Sequence, residues 1–350
     1  MICFAWEGFP QYAARCVGAY VKSTQERVVV LATRPSVPVE GMEESAGCEV
    51  HWVPNRAQVD MMSLLKETPR CLFSSAWHSP AFSNNWVPMR RMGSSVFGMM
   101  DNNYEPTLKC FINGIRFRLL YKRLFDGFMV PGNSGVKLLR SYGVEERRIV
   151  KGMYRADAKL FKSIVPVEER PKRILFTGRL NKRKNVLRMC KAFLDANTKL
   201  PDGMKWTLDV CGTGELAPDI PESPYIVQYG FVQPEQIAAI YQQVQCFILP
   251  SLSEHWGVVV HEAALSGCML LLSDRIGSAD DFLSDKNGAR FNPYDTSSIS
   301  AAFYKVMTMS PSQIAAAGRE SLRIAKGENL ETFVAGVDYC LNNLCRNGAI

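Results

Sequence analysis

Short apolar runs alternate with segments of helical period along the whole chain of 350 residues. In the first half the runs are ICFAW, VVVLAT, CLFSSA and SVFGMM. In the second they are RILFTG, WTLDVCG, YIVQYG, CFILPS and CMLLLS. Each is apolar throughout rather than alternating, and each is soon followed by Gly, Ser, Pro or Asp. Strands buried on both faces of a parallel sheet read this way. Helical periodicity fills the gaps, for example over 184–199, 234–244 and 257–266. The alternation predicts an α/β chain of doubly wound units. The pattern restarts at RPKRILFTGRL, behind the charged, proline-containing stretch VPVEERPKR at 165–173. That stretch reads as a linker and predicts a boundary near 165–172. A first Rossmann-like domain would cover 1–165 and a second 166–330, with an amphipathic final segment, 331–350, beyond them. Two such domains would face each other across a cleft, with ligands at the carboxyl ends of the strands.

A helix over TLKCFINGIRFRLLYKRLF (107–125) stands apart, with five basic residues and no acidic one. Leu108, Phe111, Ile112, Ile115 and Leu119 fall on one stripe. Lys109, Arg116 and Arg123 flank one side of it, Arg118 and Lys122 the other. Phe117, Leu120, Tyr121 and Leu124 make a second apolar face. A surface helix needs only one such face. Two faces edged by cations predict either a helix packed on both sides, or one buried on one side and set against anionic lipid on the other.

Composition adds bounds. With 47% hydrophobic and 21% charged residues, the chain has a globular balance. No apolar run reaches the roughly 18 residues that span a bilayer. The opening segment MICFAWEGFP lacks the basic region and cleavage site of a signal peptide. The expectation is a cytoplasmic protein, at most peripheral on the inner face of a membrane. Eleven cysteines without CxxC spacing, and four histidines, offer no metal set. Neither metal nor cofactor is expected, and the thiols read as small core residues. Net charge changes the picture more. Residues 1–150 hold 18 Lys and Arg against 13 Asp and Glu, an excess of five within the overall +7. A basic first half predicts an anionic partner. No recognition motif points to nucleic acid.

Candidate chemistry gathers at strand ends in the second half. FTGRLNKRKN leaves a strand and opens a helix, with Gly178 in the turn and Arg179 and Lys184 five positions apart. Both cations would meet an anion above a helix N-terminus; a solvated basic loop reads the same. DVCGTGEL places Gly212 and Gly214 after another strand, and YGFVQ places Gly230 and Val232 after a third. Such glycines let backbone approach a ligand, or simply make a tight turn. SEHWGVVVHEAALSG then carries Glu254 before a helix and Glu262 inside it, with Gly257 and Val258 at the helix start. A diphosphate fits the N–H groups there, with a carboxylate on each side for sugar hydroxyls. An ion-paired or solvent-facing Glu262 has the same spacing.

In order and spacing, GRLNKRKN, CGTGEL, YGFVQPEQIAAIYQQVQCFILPSLSEHWGVVVHEAALSGCMLLLSD and NGARFNPYDTSSISAAF resemble the C-terminal half of family-4 glycosyltransferases, over roughly residues 172–307. Glu254 and Glu262 match that family's E-x7-E signature. The resemblance implies a GT-B fold, with the final helix returning to the first domain. It implies a retaining, metal-independent transferase that uses a nucleotide-diphosphate sugar, such as a UDP- or GDP-sugar. The acceptor would be a lipid-linked or polysaccharide intermediate of cell-surface glycan synthesis. Arg179 and Lys184 would hold the diphosphate, Glu262 the ribose and Glu254 the donor sugar. Gly257 and Val258 would give N–H groups to the phosphates. An epimerase of the same architecture and a non-catalytic anion-binding protein are the rival readings.

The first half departs from the family. Only Gly8 stands where relatives have a glycine-rich loop near the donor phosphates. Many relatives place a histidine at the strand end near the reacting centre; here Met100, Asp101 and Asn102 occupy that region. Asp101, or His78 on the neighbouring strand, would orient the acceptor hydroxyl or contact the donor sugar. Either residue also suits a turn. His255 and Trp256 would tune the donor pocket, and His261 reads as packing.

Overall fold

The computed structural model describes residues 1–35, 38–54, 58–75 and 80–346. Seven strands form one parallel sheet: β1 (Ile2–Trp6), β2 (Val28–Thr33), β3 (Glu49–Val53), β4 (Cys71–Ser75), β5 (Ser95–Met99), β6 (Gly127–Val130) and β7 (Ile149–Lys151). Six form a second: β8 (Arg173–Thr177), β9 (Thr207–Cys211), β10 (Ile226–Gly230), β11 (Cys246–Leu249), β12 (Met269–Ser273) and β13 (Gly288–Phe291). The spatial orders are β3-β2-β1-β4-β5-β6-β7 and β10-β9-β8-β11-β12-β13. In each sheet the direction of winding reverses once, between β1 and β4 and between β8 and β11. Connections leave to opposite sides at such a reversal and open a crevice at the carboxyl ends of the strands.

Register builds the first core. Phe4 on β1 pairs with Phe73 on β4, which pairs with Phe97 on β5. Their rings stack at 5.0 and 4.8 Å between centroids. All three are fully buried, and each stacked pair contributes about 1 kcal/mol beyond area burial. The helix Leu330–Tyr339 closes the same core, with the Phe333 ring 5.9 Å from Phe4. The final helix thus belongs to the first unit, and the overall architecture is α/β with two parallel sheets.

The chain divides into Met1–Arg155 with Glu328–Ile350, and Ala156–Gly327. This corrects the boundaries expected at 165/166 and 330/331. The stretch 165–173 only resembles a linker. Val167 is buried, and Arg170 is 3% exposed. The Arg170 guanidinium donates to the carbonyls of Val165, Tyr241, Val244 and Ser266 and to Ser163 Oγ. A fork of five N–H donors that finds this many acceptors is a core tie, although its letter in the sequence reads as polar surface.

The helix expected over 107–125 runs over Leu108–Leu120 and is followed by a turn. Thr107 caps it, its hydroxyl accepting from the Cys110 N–H at 3.2 Å. Gly114 and Phe117 are its buried residues; the stripe from Leu108 to Leu119 faces solvent. Strands β3, β7 and β13 carry too few apolar residues, or too mixed a pattern, to stand out in the sequence, and β6, though buried, is only four residues long and opens on a glycine.

Candidate active site

The carboxyl edge of the second sheet brings four loops together. Gly178 follows β8, and its N–H bonds the Cys211 carbonyl at 3.0 Å. Gly212 follows β9 and donates to the Gly230 carbonyl at 2.7 Å; Leu180 donates to Thr213 at 2.9 Å. Close approach dictates the residue type. A Cβ on Gly212 would lie 1.9 Å from the Gly178 carbonyl oxygen, and one on Gly214 2.3 Å from that of Leu180. Gly230 has φ +69°, which also favours glycine, and Val232 beyond it is half-buried.

The run Asn181–Asn185 folds for reasons its letters supply. Asn181 caps the following turn by accepting from the Lys184 N–H at 3.0 Å. Asn185 takes the left-handed conformation at φ +59°, which asparagine tolerates. Its buried amide donates to the carbonyls of Pro250 and Pro293 at 3.2 and 2.8 Å. Leu252 N–H bonds the Arg183 carbonyl at 2.8 Å, and Arg183 Nη1 donates to the Ser253 carbonyl at 3.0 Å. The loops after β8 and β11 are therefore tied into one surface across the switch point.

That surface holds a buried ion pair. The Lys184 ammonium donates to Glu254 Oε2, and the two side chains are 10% and 12% exposed. The stem of Lys184 runs close to Gly178, whose added Cβ would sit 3.5 Å from Lys184 Cε. Ser251 Oγ donates to the same Glu254 oxygen at 3.2 Å, and Arg183 Nη1 lies 3.6 Å from Oε1. Burial alone would raise the Glu254 carboxyl. The charges of Lys184 and Arg183 and the hydrogen bonds outweigh it and hold the group below its ordinary value. Arg179 is exposed, and its side chain makes no hydrogen bond or ion pair among the described residues. Of the two cations expected to face one anion, Lys184 is held by Glu254, and Arg179 has no such partner among the described residues.

The helix Val258–Leu265 begins beside this pair. Gly257 precedes it at φ +80°, and no side chain among the described residues caps it. A Cβ there would stand 3.1 Å from Glu254 Cγ, so the helix start and the ion pair are immediate neighbours. Uncapped first-turn N–H groups favour an anion. Glu262, half-buried in the second turn, accepts from the Tyr241 hydroxyl at 3.5 Å. Trp256 and His261 are buried against Phe282; the His261 ring stacks on it at 4.5 Å, and its Nδ1 accepts from the Ala156 N–H at 3.1 Å. His255 is exposed.

In the first unit, Gly8 sits in the turn after β1 at φ +62°, its N–H bonded to Thr33 Oγ1 at 2.7 Å. Asp101 follows β5 and accepts from the Tyr154 hydroxyl at 3.3 Å. The Tyr154 ring lies 5.0 Å from that of Tyr12. His78 lies outside the described residues. Sequence reasoning overlooked Ser251, Arg183 and Tyr241 beside the two glutamates, and Tyr12 and Tyr154 beside Asp101. Only Arg183 carried a signal, as the third cation of NKRKN.

Two doubly wound parallel units, the second with glycine-lined loops and paired charges at its switch point, make up an architecture of the GT-B type. Residues 157–321 match the family model described as Glycosyl transferases group 1. An uncharacterized glycosyltransferase of Methanocaldococcus jannaschii is 24% identical over 155 residues, covering 42% of this chain and 39% of that protein. The match thus spans well under half of that relative. Anabaena HepE, solved with UDP and glucose, superposes at a TM-score of 0.75 with 13% identity, covering 98% and 99% of the two chains. The lipopolysaccharide outer core galactosyltransferase WaaB superposes at 0.68 with 13% identity, covering 97% and 98%. Together these matches show the GT-B fold over nearly the whole chain and place the likeness to group 1 glycosyl transferases in residues 157–321.

Proposed function

We propose that this chain transfers a sugar from a nucleotide-diphosphate sugar, with retention of anomeric configuration, to a lipid-linked or polysaccharide acceptor. The observation that carries the proposal is the Lys184–Glu254 pair at the β8/β11 switch point, beside the start of Val258–Leu265, with the exposed Arg179 in the same loop as Lys184. Lys184 has three N–H donors, and Glu254 does not exhaust them. Arg179, Lys184 and the N–H groups of Gly257 and Val258 neutralise the donor diphosphate without a metal. They also stabilise the charge that grows on it as the anomeric C–O bond breaks. The leaving diphosphate takes the bonding electrons. The acceptor hydroxyl forms the new bond on the same face, and its proton passes to the departing phosphate oxygen. Glu254 orients the donor sugar, Glu262 receives the ribose hydroxyls, and Gly178, Gly212, Gly230 and Val232 give a close backbone floor to the nucleotide. In the first unit Gly8 is the candidate for close backbone approach to an anion, and Asp101, His78 or both are the candidates to orient the acceptor.

HepE is solved with UDP and glucose, and WaaB is a lipopolysaccharide outer core galactosyltransferase. By analogy, a UDP-sugar donor and an acceptor in surface glycan synthesis, met at the cytoplasmic face of a membrane, are the first candidates. A melting-temperature panel of UDP-, GDP- and ADP-sugars tests the donor. At least one should raise the melting temperature, because a ligand that binds only the folded state stabilises it. The anomeric configuration of the product, read by proton NMR, tests retention. No shift with any nucleotide sugar, or an inverted product, would overturn the respective half of the proposal.

A further inference from the structure

The helix Leu108–Leu120 exposes six large apolar side chains. Leu108, Phe111, Ile112, Ile115, Leu119 and Leu120 are 74, 67, 55, 45, 77 and 56% exposed. At about 100° per residue the first five fall within one arc of about 100°. The buried Gly114 and Phe117 lie on the opposite side. The stripe runs about 16 Å along the helix axis. Single exposed apolar residues are ordinary on a protein surface; a contiguous stripe of five is not.

Its margins are cationic. Lys109 and Arg116 lie along one side, Arg123 follows in the turn beyond the helix, and none of the three has an ion-pair partner among the described residues. On the other side Arg118 is fixed, its Nε and Nη2 donating to the carbonyls of Tyr142 and Ser141 at 3.0 and 2.8 Å. A cavity of about 220 Å³ opens at that margin, with Phe111, Ile115, Arg118 and Tyr142 in its wall. No acidic residue lies between 107 and 125.

We propose that this helix docks the first unit on an anionic lipid leaflet. The apolar stripe enters the boundary between headgroups and acyl chains, and the flanking cations meet the headgroup phosphates. Charge favours this occupant over a second copy of the chain, whose stripe would bring the same cations face to face. The docking bears on the transfer reading only in purpose, by bringing the enzyme to a lipid-linked acceptor. Its physical basis is independent of that reading.

Flotation of the full chain with vesicles of phosphatidylglycerol and phosphatidylcholine tests it. Wild type should float with these vesicles at low salt, less at high salt, and less with phosphatidylcholine alone. The combined change Lys109→Glu/Arg116→Glu/Arg123→Glu should weaken binding about tenfold or more, as should Phe111→Ser/Leu119→Ser. All five positions face solvent, so both variants should melt as wild type does and keep any shift induced by nucleotide sugar. Absence of flotation at low salt overturns the proposal, as does flotation unaltered in both variants. So does a dimer, seen by light scattering, that Phe111→Ser/Leu119→Ser dissolves while vesicles bind nothing. Flotation of wild type without any nucleotide-sugar shift would support docking and remove the transferase reading.

Discussion

Glu254 is ionised in an almost dry setting because Lys184, Ser251 and Arg183 surround it. Taking away one partner of such a pair leaves the other as an uncompensated charge. Glu254→Gln should therefore lower unfolding free energy by about 3 kcal/mol, measured by urea denaturation. The sign of the pH dependence follows from the depressed carboxyl. Its contribution is complete above the ordinary value of 4.5 and is lost as the pH falls from there through the folded-state value. The stability gap between wild type and Glu254→Gln should be flat between about pH 6 and 8 and shrink in acid. Glu254 and Glu262 were legible in the sequence as an unusual pair of acids, and Arg179 and Lys184 as neighbouring cations. What the sequence did not carry is the pairing itself. Residue 184 meets residue 254 only after two strands and their loops are laid side by side. Asp101 shows the same limit, since its partner Tyr154 is 53 positions away.

Elements were easier to read where both faces of a strand are buried. β1, β2, β8, β9, β11 and β12 all stand out as apolar runs, while edge strand β3 with its half-exposed pattern does not. Arg170 misled in the opposite sense, because burial satisfied by carbonyls leaves no apolar signature. The loops at the carboxyl edge depend on glycine for contact between backbones. Gly212→Ala would drive a Cβ to 1.9 Å from the Gly178 carbonyl at φ +140°. The loops after β8 and β9 must separate to accept it. A loss of about 3 kcal/mol or failure to fold is expected, since steric clash and backbone strain act together. Gly203→Ala is the control. Nothing lies within 4 Å of the added carbon, and the change should stay within about 0.5 kcal/mol. Equal effects of the two on thermal melting would contradict the tight contact between those loops.

At the scale of the molecule, the chain crosses between its units twice. The two crossings are marked by Arg155 and Glu328, which form an ion pair at 2.5 Å within the first unit. One unit carries the paired charges and the glycine-lined edge; the other carries the cation-edged apolar helix and Asp101. The central claim is that the edge after β8 and β11 holds a nucleoside diphosphate. Arg179→Ala tests it most directly, because the side chain is exposed and has no hydrogen-bond or ion-pair partner among the described residues. Calorimetric titration with UDP, GDP and ADP should show binding of at least one by wild type. The variant should bind that nucleotide about tenfold or more weakly, the worth of one charged hydrogen bond, at an unchanged melting temperature. Binding of none of the three by wild type, or equal binding by Arg179→Ala, would contradict the account.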